Sequence, residues 1–453
     1  MKIIIVGCGK VGRTITEQLS KENHDVTVID KDNTVIHDVT NNYDVMGVVG
    51  DGVSYSVLKE AGVDDADLLI AVTTSDELNL LCCLFAKKAG NCSTIARVRN
   101  PVYSKEAEFI KEELGLSMII NPEYAAATEI SRIMRFPSAI EIDTFAKGQV
   151  ELMKFIIADG SMLHDMSIVQ LSKKLKSEIL VCTIERNGEV IIPNGSVILQ
   201  KGDILSIIAS PTQARDFFKE IGVETHQVKN TIIVGGGTIA YYLAKQLIKM
   251  GISVKIIEQD RSRCELLSEL LPEAIIINGD ATNQDILYEE GITHTESFVS
   301  LTGIDEGNIF LSLFAQQASE ANAKIITKIN RISFDEIINN FHLGSLIYPK
   351  FITAEYILQY VRAMQNSVGS NVETLYRIIE GKVEALEFHV DLVSDITDIP
   401  LEQLPLKKNI LIACINRNGQ TIMPNGSSTI QVGDRVIVIT TENGLRNIEN
   451  IIK

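Results

Sequence analysis

The sequence contains no tryptophan, and aromatic residues make up only 6% of its 453 positions. It lacks any run of ~20 nearly uncharged apolar residues, which a membrane-crossing helix requires. Its apolar runs, such as Ile3–Val6 and Leu68–Val72, are strand-sized. The N-terminus opens directly into such a run, without the ~7–15-residue apolar stretch and cleavage site of a secretory leader, so export is not expected. Lysine and arginine never form runs longer than two, against a formal net charge of −17. A nucleic-acid interface shows a basic patch, and adsorption to anionic lipid needs a polybasic segment. Both are disfavoured, so work at a membrane would require a membrane protein as anchor. No C-x-x-C pair occurs. The seven cysteines (Cys8, Cys82, Cys83, Cys92, Cys182, Cys264 and Cys414) are odd in number and sit mostly in apolar segments. They read as buried thiols of a reducing cytoplasm, without the spacing of zinc ligands.

What the sequence has is repetition. Gly7-Cys-Gly-Lys-Val-Gly12 returns as Gly235-Gly-Gly-Thr-Ile-Ala240 at an offset of 228, and Asp30 returns as Glu258. Gly50-Asp51 matches Gly279-Asp280 at 229, as Thr73, Asp76, Glu77 and Asn79 match Thr302, Asp305, Glu306 and Asn308. Pro122 matches Pro349 at 227. Arg186-Asn-Gly188 and Pro193-Asn-Gly-Ser196 match Arg417-Asn-Gly419 and Pro424-Asn-Gly-Ser427 at 231. The chain is therefore one module written twice.

In the first copy, strands are predicted at Lys2–Val6, Asp25–Ile29, Val45–Val49, Leu68–Val72, Thr94–Val98 and Ser117–Ile120. Amphipathic stretches such as Val11–Lys21 and Glu77–Ala89 separate them. That alternation predicts an α/β fold, a Rossmann-like doubly wound parallel sheet with helices on both faces. A helix over Glu123–Met134 follows, stopped at Phe136-Pro137. From about Ala139 the pattern becomes more alternating, with turns at Arg186-Asn-Gly188 and Pro193-Asn-Gly195, a buried strand at Ile204–Ala209 and a last helix over Thr212–Glu220: a small α+β C-terminal domain. The repeat gives four domains, 1–137, 138–225, 226–366 and 367–453.

A G-x-G-x-x-G run is weak evidence alone, but here it follows a strand and opens a helix. The first glycine permits the tight turn, the second lets backbone approach phosphate, and the third permits close packing. The run, with Cys8, Lys10 and Val11 between its glycines, offers helix N–H groups to an anion. Asp30 falls 18 residues after Gly12, at the end of the second strand. There a carboxylate accepts from ribose hydroxyls and repels a 2′-phosphate, favouring NAD or an adenosine nucleotide. The alternative is a cap on the following turn, which Lys31 enters. Asp51 and Thr73-Thr74 follow the third and fourth strands, where ligands of open α/β sheets bind. Their alternatives are helix caps. Arg97 and Arg99, two apart on one strand, are expected on one face, reaching phosphate or forming a surface ion pair.

The second copy keeps Gly235, Gly237, Glu258, Asp280 and Thr302, with Thr238 and Ile239 inside the loop. Ala240 replaces the third glycine, Gly303 replaces Thr74, and Lys328 and Asn330 stand for Arg97 and Arg99. The second site is expected to hold a nucleotide through different phosphate contacts, or to be an empty structural copy. An oxidoreductase would also need an acid or base near the nicotinamide. The histidines (His24, His37, His164, His226, His294, His342 and His389) are scattered, with His24 and His37 reading as surface residues. No nucleophile-elbow, Walker-lysine or zinc motif appears. A binding and regulatory protein is therefore favoured over the alternative, an NAD-dependent oxidoreductase with an atypical substrate domain.

With Gly7-x-Gly9-x-x-Gly12, Asp30, Gly50-Asp51, Thr73-Thr74-x-Asp76, Ala96-Arg-Val-Arg-Asn-Pro101 and Pro193-Asn-Gly-Ser196 in place, and the altered second copies just described, the whole chain resembles the TrkA family. These are peripheral cytoplasmic subunits of Trk potassium uptake systems, built from tandem RCK modules. The resemblance implies binding of NAD(H) and ATP/ADP, with Arg97 and Arg99 on phosphate. It implies gating of a membrane-embedded potassium transporter subunit without catalysis, at the cytoplasmic face of the membrane. It further implies homo-oligomers, dimer or tetramer, forming an RCK ring in which the helix Glu123–Met134 pairs neighbouring modules. In some relatives the small domains take a separate ligand such as a cyclic dinucleotide.

Overall fold

The computed structural model describes every residue except 91, 136–140, 146–149, 224–226, 321–322, 331–342, 368–371, 379–381, 443–444 and 446. The expected helix stop at Phe136-Pro137, the start of the small domain at Ala139, the boundaries 137/138 and 225/226, and His226 and His342 lie outside the described residues.

Ile3 to Val6 are buried, which makes β1 (Lys2–Val6) a strand covered on both faces, the setting of parallel sheet. It pairs in parallel with β2 (Asp25–Asp30) and β4 (Leu68–Ala71). With β3 (Met46–Val49), β5 (Ser93–Arg97) and β6 (Met118–Ile120) the order is β3-β2-β1-β4-β5-β6, all parallel. The winding reverses between β1 and β4, so a crevice opens at their carboxyl ends. The second copy repeats this with β12 (Asn230–Val234), β13 (Ser253–Glu258), β14 (Ile275–Asn278), β15 (Ser297–Ser300), β16 (Lys324–Lys328) and β17 (Ser345–Ile347), in the order β14-β13-β12-β15-β16-β17.

The small lobes are antiparallel. β7 (Glu141–Phe145), β8 (Val150–Ile156), β9 (Leu180–Arg186), β10 (Glu189–Ile191) and β11 (Ile204–Ala209) run β10-β9-β11-β8-β7. β18 (Val372–Ile378), β19 (Val383–His389), β20 (Ile410–Arg417), β21 (Gln420–Ile422) and β22 (Arg435–Thr440) run β18-β19-β22-β20-β21, the same pairing sequence. Among the described residues two helices of the first small lobe are not repeated: Ile168–Lys174 and Pro211–Glu220 are answered in the second by the short 3₁₀ turns Leu401–Gln403 and Ile448–Ile451.

The chain divides into two compact units that group like with like. Met1–Ser131 and Lys229–Leu358, the two parallel-sheet lobes, form one; Arg132–Val228 and Gln359–Lys453, the two antiparallel lobes, form the other. In the second unit the period-2 pattern of strands assigns each face its own core. Met153, Phe155, Leu205 and Ile207 turn toward Phe217 and Phe218. Val150, Leu152, Cys182 and Ile208 turn the other way, onto Val383, Ala385, Ala413, Cys414, Ile437 and Ile439 of the sister sheet. Each small lobe also carries one bidentate ion pair: Arg186 donates to both carboxylate oxygens of the buried Asp203 at 2.7 Å, and Arg417 to those of Asp434 at 2.8 Å. The repeated Arg-Asn-Gly runs thus supply both the turn, with Asn187 and Gly188 at positive φ, and the arginine that neutralises a buried carboxylate.

All seven cysteines are buried and unpaired. One surface expectation is corrected: His24 is buried, 6% exposed, just before β2.

Candidate functional site

The helix Lys10–Lys21 begins where β1 ends, with Gly9 as its N-cap and no side chain capping it. Gly7 sits at φ +97°, where a Cβ would lie 2.9 Å from the Thr73 amide nitrogen, and a Cβ on Gly12 would lie 1.9 Å from the Gly7 carbonyl oxygen. Gly9 differs: a Cβ there would meet nothing within 4 Å. Two of the glycines are therefore required by packing, while the middle one keeps free space in front of the helix's unpaired N–H groups, space that suits a phosphate.

Asp30 closes the other side of this loop. Its Oδ2 accepts from the Cys8 N–H at 2.7 Å and its Oδ1 from the Asp32 N–H at 3.1 Å. It therefore orders both the glycine loop and the turn after β2. The N-cap of the next helix is Asp32, not Asp30. Asp51 is not a helix cap either; Ser54 holds that position. Asp51 pairs with Lys31 at 2.9 Å and accepts from the Val53 N–H. The Lys31 hydrogen bond holds its carboxyl below the usual range. Thr73 is committed to its own lobe, its amide and hydroxyl both donating to Asn79 Oδ1, at 2.8 and 2.7 Å.

Gly7, Cys8, Gly9, Lys10, Val11, Asp30, Lys31, Asp51, Thr73, Thr74 and Arg97 line one cavity of about 530 Å³, within the range of small-molecule sites. Gly12 packs instead against the Gly7 carbonyl group and Val72. Cys8 and Cys82 also line it, but burial pushes both thiols up to about 12, helped by Asp30 and Asp51 respectively, so they stay protonated and non-nucleophilic at neutral pH. Arg97 presents a buried Nε with no hydrogen-bond partner, and burial, then Arg99, lower its pKa. Glu123 lines the same wall; burial raises its pKa against the pull of Arg97.

β5 ends at Arg97, and Arg99 follows just outside the strand, close enough for the two charges to interact. Arg99 donates to the Thr74 carbonyl oxygen, lies 3.5 Å from Asp76 and lines a separate recess with Thr238 and Glu123. The residues that set this arrangement were visible only as repeat matches. Asn79 Nδ2 donates to the Arg97 carbonyl oxygen at 2.8 Å, and Asp76 accepts the Arg99 and Asn100 N–H groups at 2.8 Å. They tie the ends of β4 and β5 together, as Asn308 and Asp305 do for Lys328 and Asn330.

The second loop has the same build. Gly235 is at φ +96°, Gly237 caps the helix Thr238–Lys249 with open space before it, and Ile239 follows in the first turn. Ala240 is fully buried where Gly12 stands in the first copy. Glu258 accepts from the Gly236 N–H at 2.6 Å. Asp280 accepts from the Thr282 amide and hydroxyl, capping its own turn. Lys328 donates to the Leu301 carbonyl oxygen at 3.0 Å, and burial lowers its pKa. An arginine holds each loop from a different helix: Arg13 donates to the Cys8 carbonyl oxygen, Arg263 to that of Gly236.

The two parallel-sheet lobes meet through the helix Pro122–Arg135. Tyr124 packs edge-on against Tyr242 at 5.5 Å, Asn121 Nδ2 donates to the Tyr242 hydroxyl at 3.0 Å, and Gln246 donates to Thr128 at 3.0 Å. Here the helix pairs the two modules of one chain. Asn330, Pro349 and Lys350 of the second lobe complete the wall of the first lobe's cavity.

Comparison with known proteins gives two domain families. The TrkA-N domain matches residues 3–122 and 231–349, and the TrkA-C domain matches residues 152–222 and 387–453. The Trk system potassium uptake protein TrkA homolog of Archaeoglobus fulgidus is 33% identical over 455 residues, covering 100% of both chains. The Trk system potassium uptake protein TrkA of Haemophilus influenzae is 31% identical over 457 residues, covering 100% of this chain and 98% of that protein. Among solved structures, the GsuK channel bound to NAD superposes with a TM-score of 0.66 at 17% identity, over 97% of this chain and 77% of that one; the likeness is one of fold.

Proposed function

The chain belongs to the TrkA family, and from that premise we propose that it is the nucleotide-binding regulatory subunit of a Trk-type potassium uptake system. The observation that carries this reading is the first crevice: a glycine whose missing side chain serves no packing need, opposite an acidic strand end, at the switch point of a parallel sheet. An adenine nucleotide fits it with the ribose at Asp30 and phosphates before Gly9. NAD(H), ATP and ADP are the proposed ligands; the structural neighbour is named as bound to NAD. The site residues would be Gly7 to Gly12, Asp30, Asp51 and Arg97, with Gly235, Gly237, Thr238, Glu258 and Asp280 around a second ligand. The segments 1–137, 138–225, 226–366 and 367–453 would be the four domains.

The relatives are named as potassium uptake proteins, and no helix among the described residues is long and apolar enough to cross a membrane. The partner is therefore a membrane-embedded potassium transporter, contacted from the cytoplasmic side by an oligomer of this chain. Nucleotide would bias two arrangements of that assembly, by no more than its differential affinity for them, with coupling of roughly 5- to 150-fold. The test is potassium flux through the cognate transporter in liposomes, with and without this protein, under apo, ADP, ATP, NAD and NADH conditions. Flux that changes with nucleotide is expected. Equal flux under all conditions in verified complexes, or no complex, defeats the proposal. Consumption of NADH with a substrate would favour an oxidoreductase instead.

A further inference from the structure

In the second small lobe, the loop that follows β19 pairs with the turn that precedes β22. The Val390 N–H donates to the Asp434 carbonyl oxygen at 2.9 Å, and the Gly433 N–H donates to the Val390 carbonyl oxygen at 2.8 Å. The side chains that these two segments hold out to water are apolar. Leu392 is 75% exposed, Val393 80% and Val432 50%. Single exposed aliphatics are ordinary, but a group of them in one place marks a contact. Their exposure also means that the core of the lobe does not require them.

The first small lobe supplies the comparison. The same backbone pairing joins the Ile157 N–H to the Asp203 carbonyl oxygen at 2.9 Å and the Gly202 N–H to that of Ile157 at 3.0 Å. It puts Asp159, Gly160 and Lys201 at the places of Leu392, Val393 and Val432. There Lys201 and Asp159 form an exposed ion pair at 2.5 Å, so the two matched positions lie within side-chain reach of each other. The second copy has exchanged that ion pair for an apolar tip. It has also gained carboxylates. Asp391 and Asp395 stand where the first copy has Ala158 and Met162, and Asp398 keeps the place of Asp165. All three are exposed, and Asp391 also meets His389 Nδ1 at 2.5 Å. Neither segment, 390–398 or 430–434, contains a lysine or arginine.

We infer that Leu392, Val393 and Val432 form a docking tip for a cationic, apolar cytoplasmic segment of the membrane-embedded partner. The inference rests on the reading of this chain as the regulatory subunit of a membrane transporter. Charge selects the occupant. Adsorption to anionic lipid needs a basic surface, and the three carboxylates beside the tip oppose it. They equally repel the same tip of a second copy, and three side chains fall far short of the roughly 800 Å² a side that a stable interface buries. Cytoplasmic loops of membrane proteins, by contrast, carry an excess of lysine and arginine. Such a segment covers the aliphatic side chains with its own apolar residues and sets its cations against Asp391, Asp395 and Asp398. Charge then steers the approach, and burial of the tip holds it. A contact this small is one anchor among several, and an oligomer that presents the tip more than once strengthens it.

The experiment measures binding of the full chain to the cognate transporter in lipid nanodiscs. The triple variant Leu392→Asp, Val393→Gly, Val432→Lys writes the first copy's residues into the second. It is expected to keep the wild-type melting temperature and oligomeric mass and to lose roughly tenfold or more in affinity. Leu392→Ser, a smaller change, is expected to lose roughly threefold or more. Asp395→Asn with Asp398→Asn is expected to weaken binding and to reduce its dependence on salt. The first-copy change, Asp159→Ala with Lys201→Ala, is expected to leave affinity within about twofold, because an exposed ion pair contributes little. Wild-type affinity in the triple variant and in Leu392→Ser overturns the inference and leaves the subunit reading standing. Equal losses in the first-copy control overturn it too, as does a loss confined to a triple variant with a lowered melting temperature, because a folding defect then explains it. A fall in oligomeric mass makes the tip a contact between copies, and binding to nanodiscs without transporter makes it a lipid contact; either overturns the inference. Unchanged affinity and salt dependence in the aspartate variant overturn the cationic partner. Absence of wild-type binding to the transporter overturns the subunit reading itself, and this inference with it.

Discussion

Gly9→Ala separates ligand space from packing space. At φ −69° the backbone accepts alanine, and the new Cβ meets nothing within 4 Å. Alanine is a poorer N-cap than glycine, so the unliganded protein should lose at most about 1 kcal/mol. The methyl group, however, stands in front of the helix N–H groups. A phosphate pushed off even one charge-assisted hydrogen bond loses about 1.5–3 kcal/mol, which puts the affinity loss near a hundredfold. Ligand-induced stabilisation follows from mass action. At a concentration 100 times the wild-type Kd, nucleotide adds about 2.7 kcal/mol to the wild type; a hundredfold weaker variant gains about 0.4 kcal/mol. At about 2–4 °C per kcal/mol, a thermal shift of several degrees shrinks to about one. The control is Gly12→Ala, whose Cβ would lie 1.9 Å from the Gly7 carbonyl oxygen. It should destabilise the unliganded protein by about 1–3 kcal/mol through overpacking. Gly9→Ala with an unchanged melting temperature and an unchanged thermal shift refutes the reasoning, because no phosphate would then occupy the space before the helix.

Asp30→Ala should lower affinity for NAD(H) and ATP by roughly ten- to a hundredfold while far-ultraviolet circular dichroism stays that of wild type; unchanged calorimetric affinity removes Asp30 from the site. Arg97→Ala should cost more ATP affinity than Lys328→Ala, since Lys328 is spent on the Leu301 carbonyl oxygen; equal losses in titration contradict that. Arg186→Ala strands Asp203, which is 1% exposed, and should cost about 3 kcal/mol or more in urea unfolding; a loss under 1 kcal/mol means the pair is idle. Lys324, pushed down by burial from 10.5 to about 8, binds its proton less tightly folded than unfolded. Its contribution therefore makes stability rise with pH between about 8 and 10.5, and Lys324→Met should flatten that slope in denaturation curves measured across the window.

Both parallel sheets were legible because their strands are buried runs bounded by helix-period segments, and the glycine loops because three spacings and a strand end agree. The limits are equally physical. Arg97 and Arg99 were expected on one strand, but β5 stops at Arg97, and Arg99 is held instead by Thr74 and Asp76. Arg13 and Arg263 do the same work from non-equivalent helices, so no repeat offset links them. The last helix of the first copy became a 3₁₀ turn in the second. His24 followed a polar turn and was still buried. Lys350 at the first crevice depends on how two segments more than 200 positions apart fold together, which no local pattern encodes.

The like-with-like grouping of lobes has a genetic consequence. Two separate copies of one module, joined about a two-fold axis, must present the same residue from both sides, because every interface position is used twice. Glutamate after Pro122 would then recur after its counterpart Pro349, where this chain has Lys350. Covalent tandem duplication removes that constraint. One codon can change at Glu123 without touching Lys350, so the two copies are free to diverge in charge at matched positions.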